Sequence, residues 1–402
     1  MDTKELGYEI TAIAAGLDSF ERKVFKGKGI IDDEGLIPLY LGKDLIDERD
    51  FRSWEEVDHA IEEAAASVGK LGQGPRKLFL EKLMHSLRMA SMLFQGGDAP
   101  FVDKLTKLVG VPAESLEDSF IGDLASRLEE ALDRAGFSTG TVRDKILAWE
   151  QSGAIEPEHL EKVFGELMAE AQERTDRMIV DTEGYTMVLN PVRNTHFSAR
   201  CNFSGGKMDI NVDNRFSRAA LKHLVAHECF PGHSTQNIYT LRSFKQGTAS
   251  ADVLLCSLNG ITGVIQEGIG DQGVELIDWI EDVHDEIQAL LRRYQSSVAT
   301  QAAWKINMER ITDGQAYAYM RDVGAMQDAR IKGRIHMARH PFRSGFISSY
   351  FYGNEAVRRV RLAVEHDPKR RRLFIDELYG NMHAPESLCL ATGVAYRSHG
   401  DR

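Results

Sequence analysis

Apolar positions recur at helical spacing along most of the chain. In "DFRSWEEVDHAIEEAAASVGKLG", residues 50–72, they form one stripe, the mark of an amphipathic helix. Ser53 and Glu56 stand three apart just ahead of it, as in a capping box. "RKLFLEKLMHSLRMASMLFQGG", residues 76–97, has the same period and runs into two glycines, a common helix stop. Further helical periodicity covers 113–136, 141–152 and 157–179, then 277–309, 312–339, 346–365 and 368–379. Gly, Pro or Thr separates these segments.

One region departs from the helical period. "GYTMVLNPVRNTHFSARCNFSGGKMDINVDN", residues 184–214, has short alternating runs around Ser204-Gly205-Gly206. It predicts two or three strands with a hairpin at that turn. The expected fold is therefore mainly α with a small β-sheet. Residues 1–180 read as a helical N-terminal lobe and 181–402 as the lobe that carries chemistry; the two can form one domain.

The 402-residue chain is long enough for a large core. Its mean hydropathy of −0.31 is that of an ordinary globular protein. No apolar run reaches the roughly 18 residues of a membrane span. The N-terminus lacks the basic and apolar regions of a secretory signal, so a cytoplasmic location is expected. The formal charge of −12 argues against nucleic acid as a partner. The basic run "DPKRRRLF", residues 367–374, is expected to be a solvated helix face. Four scattered cysteines, with no C-x-x-C pair, argue against a disulfide framework or a cysteine-based metal site. Cys229 is expected to be a small buried residue rather than a nucleophile. Oligomeric state is not legible.

Chemistry concentrates in "VAHECFPGHSTQ", residues 225–236. "FSRAALKHLVAHE", residues 216–228, predicts a helix capped by Ser217 that ends on His227 and Glu228. His233 follows His227 by six residues. On a straight helix that spacing separates two side chains by about 120° and 9 Å, too far for one ion. Pro231 and Gly232 lie between them. Proline breaks the ladder and disfavours helix at Phe230, and glycine permits an unusual turn. The predicted break falls just after Glu228 and can swing His233 back toward His227.

A third ligand is offered by Glu267, on a helical stretch that also holds Gly260, Gly263, Gly268 and Gly270. So many glycines predict close backbone packing, and a carboxylate buried there needs a counter-charge. His2Glu with an open position is a catalytic zinc set. Glu228 is then the general base for the attacking water. Spacing alone also fits polar residues at a helix end, with His233 capping a turn.

The stretch "HECFPGHSTQ" resembles the His-Glu-x-x-Pro-Gly-His signature of a bacterial family, domain of unknown function 885, grouped with the zinc-dependent gluzincin metallopeptidases. His227, Glu228, Pro231, Gly232, His233 and Gln236 match its pattern, as do Glu267-Gly268 downstream. "SGFISSYFYG" resembles a later family stretch at Gly345, Ser349, Tyr350 and Gly353, and "YGNMHAPESL" resembles the family's closing turn only loosely. The likeness covers about 181–402. Ser234 replaces a second histidine, Ser344 a proline, and the aromatic residues after Glu-Gly are missing, so the substrate pocket is expected to differ. The resemblance implies a gluzincin-like helical architecture with the sheet at the active-site cleft, and one zinc on His227, His233 and Glu267.

The expected activity is hydrolysis of a peptide or small amide. The stretch 201–213, with Asn202 and Phe203, is expected to hold an extended substrate. Tyr350 is the candidate oxyanion donor and Tyr352 its rival at the substrate. Arg343, with Arg358 and Arg361, is a candidate for a substrate carboxylate. His196, His340 and His383 are further candidates for proton transfer. Two other readings stay open: non-hydrolytic chemistry with Fe2+ at the same trio, on a small metabolite, or an inactive helical binding module.

Overall fold

Ser53 occupies the position that the apolar stripe assigns it. In the computed structural model, which describes residues 3–31, 34–195 and 199–397, its side chain accepts from Glu56 N at the start of helix Trp54–Gly69. The Glu56 carboxylate reaches back one residue further than a capping box requires, accepting from Arg52 N at 2.8 Å. The helix buries Val57, Ala60, Ile61, Ala64 and Val68. The fold is mainly α-helical with one small mixed sheet, as expected. Helices also form at Pro75–Phe94, Asp118–Arg134, Val142–Ser152, Leu160–Met178, Val283–Asn307, Ser349–Val364 and Pro368–Gly380. Among the described residues, no helix is long and apolar enough to cross a membrane.

The predicted helix over 312–339 is two helices, Asp313–Asp322 and Asp328–Arg339. Between them Ala325 has a φ of +50°. The carbonyls freed at the break find partners on another helix. Tyr294 donates its hydroxyl to Val323 O, and Gln295 donates to Gly324 O. Tertiary partners thus make an interruption that local periodicity does not show.

The chain groups into two compact units. One comprises Met1–Ala113, Gln236–Gly268 and His340–Arg402; the other comprises Glu114–Thr235 and Ile269–Arg339. In the first, helix Thr3–Phe25 buries Leu6, Ile10, Ile13 and Leu17 and packs on Trp54–Gly69. Arg76 makes a bidentate pair with the fully buried Asp252 at 2.6 and 2.5 Å.

In the second unit, helix Val283–Asn307 is central. It packs against Asp118–Arg134, Asp313–Asp322, Asp328–Arg339 and Arg218–Glu228. The sheet belongs to the same unit: β1 (Val188–Val192), β2 (Ala199–Asn202) and β3 (Lys207–Asn211), in the order β1-β3-β2. β3 pairs parallel with β1 and antiparallel with β2, closing the hairpin expected at Ser204–Gly206. Two helices, His233–Lys245 and Ile261–Asp271, run across the points that divide the units.

Candidate metal centre

The first motif helix, Arg218–Glu228, begins where sequence places it, with the Ser217 side chain accepting from Ala220 N at 3.1 Å. It ends at Glu228, and after Cys229–Gly232 a second helix begins at His233. The peptide bond before Pro231 is cis. Gly232 is needed for space rather than for a left-handed conformation: its φ is not positive, and a Cβ there would lie 1.8 Å from the His227 carbonyl oxygen. The new helix starts hard against the end of the old one. The His227 and His233 rings therefore meet edge to face, with centroids 4.9 Å apart.

Helix Ile261–Asp271 supplies the carboxylates. Its glycines mark close approaches, as expected: a Cβ on Gly268 would lie 2.3 Å from Gly353 O, and one on Gly270 would lie 2.6 Å from His227 Nδ1. Gln236 secures the helix by donating to Gln266 O at 3.0 Å. Glu267 and Asp271 are four apart, so they share a face of this one continuous helix. Ligand atoms of His227, His233 and Glu267 all lie within 4.8 Å of one another. Donors on a tetrahedral zinc stand about 3.4 Å apart, which small side-chain rotations would reach. The donor set fits the metal.

Asp271 and His223 were not foreseen. Asp271 Oδ1 lies 3.3 Å from His227 Nδ1, 3.5 Å from His223 Nε2 and 3.4 Å from Arg292 Nη2. Burial alone would raise this carboxyl, but Arg292 and the two imidazoles hold it well below the usual carboxylate range. Asp271 faces Nδ1 of His227, which leaves Nε2 for an ion, the arrangement that orients metal-binding histidines. His223, His227 and Asp271 could themselves hold a metal. Arg292 already places a positive charge on the same Asp271 oxygen, so a dication is better accommodated at the trio with Glu267. Burial, against the pull of Asp271, pushes His223 down to about 4, so it is neutral at pH 7. Both residues had a signal in the sequence: His223 is one turn before His227, and Asp271 one turn after Glu267.

Glu228 is half-buried, and its Oε2 accepts from Cys201 N at 2.7 Å. That bond fixes the carboxylate against the outer edge of β2. Ser234 is fully buried, its hydroxyl 2.9 Å from Met187 Sδ and 3.2 Å from Glu228 O. Burial, then the Glu228 charge, push the Cys201 thiol up to about 12, and burial raises Cys229 well above its ordinary value. Neither is an activated nucleophile.

The remaining candidates have varied surroundings. Asn202 and Phe203 shape the hairpin. Asn202 accepts from Gly205 N at 3.0 Å, and Phe203 stacks on Tyr185 with ring centroids 4.9 Å apart. Tyr350 is half-buried, one turn before Gly353, whose backbone meets Gly268 beside Glu267. Tyr352 lines a shallow depression with Arg359, Pro385 and Tyr396, which includes none of the metal trio. Arg343 is paired with Glu34, and Arg361 lies 3.9 Å from Glu365. His340 accepts from Phe342 N and Arg343 N, capping a turn. His383 is buried between Ser387 and Glu377. His196 lies outside the described residues.

No family profile matches the chain, and no curated protein does. Among the solved structures similar in fold are these two. One is described as a putative lipoprotein from Colwellia psychrerythraea, at 16% identity and a TM-score of 0.58, covering 93% of this chain and 68% of that one. The other is described as a putative lipoprotein of unknown function from Shewanella oneidensis, at 14% identity and a TM-score of 0.51, covering 83% and 72%.

Proposed function

We propose that this protein is a metal-dependent hydrolase of a peptide or small amide, with zinc on His227, His233 and Glu267 and Glu228 as general base. The observation that carries the reading is the convergence of the three donors within 4.8 Å of one another. The Asp271 carboxylate behind His227 supports it. Zinc at this trio supplies Lewis acidity, which polarises a carbonyl and makes a water easier to deprotonate.

The chain's own groups do the rest. Glu228 accepts the proton of the attacking water and passes it to the leaving amine. The Cys201 N–H orients that carboxylate and leaves its other oxygen for the water. β2 is an edge strand, and its outward backbone groups other than the Cys201 N–H suit an extended substrate. Tyr350 is the candidate donor to the developing oxyanion.

A screen of dipeptides and N-acyl amino acids, with and without chelator, tests the activity. Hydrolysis should appear only with metal. Glu228→Gln should retain the metal and the melting temperature while losing at least about 10²-fold in rate. A Gln variant with wild-type turnover would exclude this mechanism.

A further inference from the structure

Glu267 sits on a helix with weak local support. Ile261–Asp271 contains Gly263, Gly268 and Gly270, and glycine in a helix is less favourable than alanine because it has more freedom to lose. The place of the carboxylate therefore depends on what holds its neighbours. On one side, Gly268 lies against another backbone: a Cβ there would be 2.3 Å from Gly353 O. On the other side, the carbonyl of Gln266 accepts from Gln236 Nε2 at 3.0 Å.

Gln236 stands between two of the proposed ligands. It is one turn after His233 on the same helix, His233–Lys245, and its amide meets the residue just before Glu267. Its side chain is buried, at 3% exposure, so water does not compete for the bond. The Gln266 carbonyl does not need this donor to complete the helix ladder. In an α-helix it already faces the N–H four residues on, that of Gly270. The glutamine uses the second lone pair of that oxygen. The bond is thus an added tie between the helix of His233 and the helix of Glu267. Burial of a polar group on this helix does not by itself make such a tie. Thr240, four residues beyond Gln236, is just as buried, and its hydroxyl makes no hydrogen bond to the protein.

We infer that Gln236 is a positioning residue of the metal centre: its amide fixes the backbone ahead of Glu267 at the separation from His233 that a single ion requires. The inference deepens the hydrolase reading and rests on its zinc assignment. The demand on position is strict, because a site of this kind works only when its groups are held to within roughly 0.5 Å. A helix rich in glycine does not supply that precision alone, and a buried amide bonded to the main chain does.

The test is zinc competition against a chromophoric chelator, on the full chain, for the wild type, Gln236→Met, Gln236→Asn and Thr240→Val. Methionine keeps the length of the side chain and removes the donors. Asparagine keeps the donors and falls one methylene short. Both should bind zinc about 10–100-fold more weakly, the usual loss when a contact that orients a ligand is removed. The visible absorption of Co2+ bound in place of zinc should change with them. Thr240→Val should match the wild type in both readouts. A folded Gln236 variant with wild-type zinc affinity overturns the inference. So does an equal loss in Thr240→Val, since any change on this helix would then act alike. Failure of both Gln236 variants to fold would assign the glutamine to the fold instead of the site, and overturns it as well. A wild type that takes up no zinc would bring down the hydrolase reading and this inference together. Tight zinc binding by the wild type and the variants alike would remove this inference alone.

Discussion

Gly270 shows how a single missing side chain can hold a reactive one in place. A Cβ there would lie 2.6 Å from Nδ1 of His227, on the side where Asp271 faces the ring. The ring is rigid and buried, so it cannot yield by rotating its far end. Alanine is the better helix former by roughly 0.5–1 kcal/mol, so propensity alone gives no reason for glycine. Gly270→Ala should turn His227 away from Asp271 and weaken zinc binding by about 10–100-fold, as loss of an orienting contact typically does. Competition with a chromophoric chelator measures this. An unchanged dissociation constant would mean that the His227 ring is not held by this contact. Sequence showed the glycines and the reason to expect close packing. It did not show that one of them lies against a histidine, because that neighbour is 43 positions away (Gly270 against His227).

At the scale of elements, the break between the two motif helices was legible and its cause only in part. Pro231 and the six-residue histidine spacing predict an interruption after Glu228, and the helix ends there. The glycine has a different job from the one sequence suggests: it admits the backbone of residue 232 against the His227 carbonyl. Gly232→Ala should therefore force the second helix away from the first. The expected loss is at least the roughly 1–3 kcal/mol of an overpacked core, in denaturant unfolding, with a parallel fall in zinc affinity. A variant with wild-type stability and affinity would contradict the packing argument. Capped helices, such as those led by Ser53 and Ser217, were readable because cap and stripe are local. The division of 312–339 was not, because the groups that satisfy the freed carbonyls, Tyr294 and Gln295, belong to another helix. Asp271 and His223 had the right helical offset, but spacing cannot say which of several polar residues turns inward.

For the whole molecule, a largely helical fold is shared with solved proteins at 14–16% identity. The scaffold itself carries no activity; the account depends on whether the donors hold an ion. The Arg76–Asp252 pair lies outside the metal trio and would survive loss of a ligand. The most direct measurement is elemental analysis of the purified wild-type protein beside His233→Ala and Glu267→Gln. The account predicts about one zinc per chain in the wild type. Each variant should lose the zinc while keeping its helical circular dichroism. Full zinc occupancy in either variant, iron in place of zinc, or a metal-free wild type that takes up no zinc would contradict it.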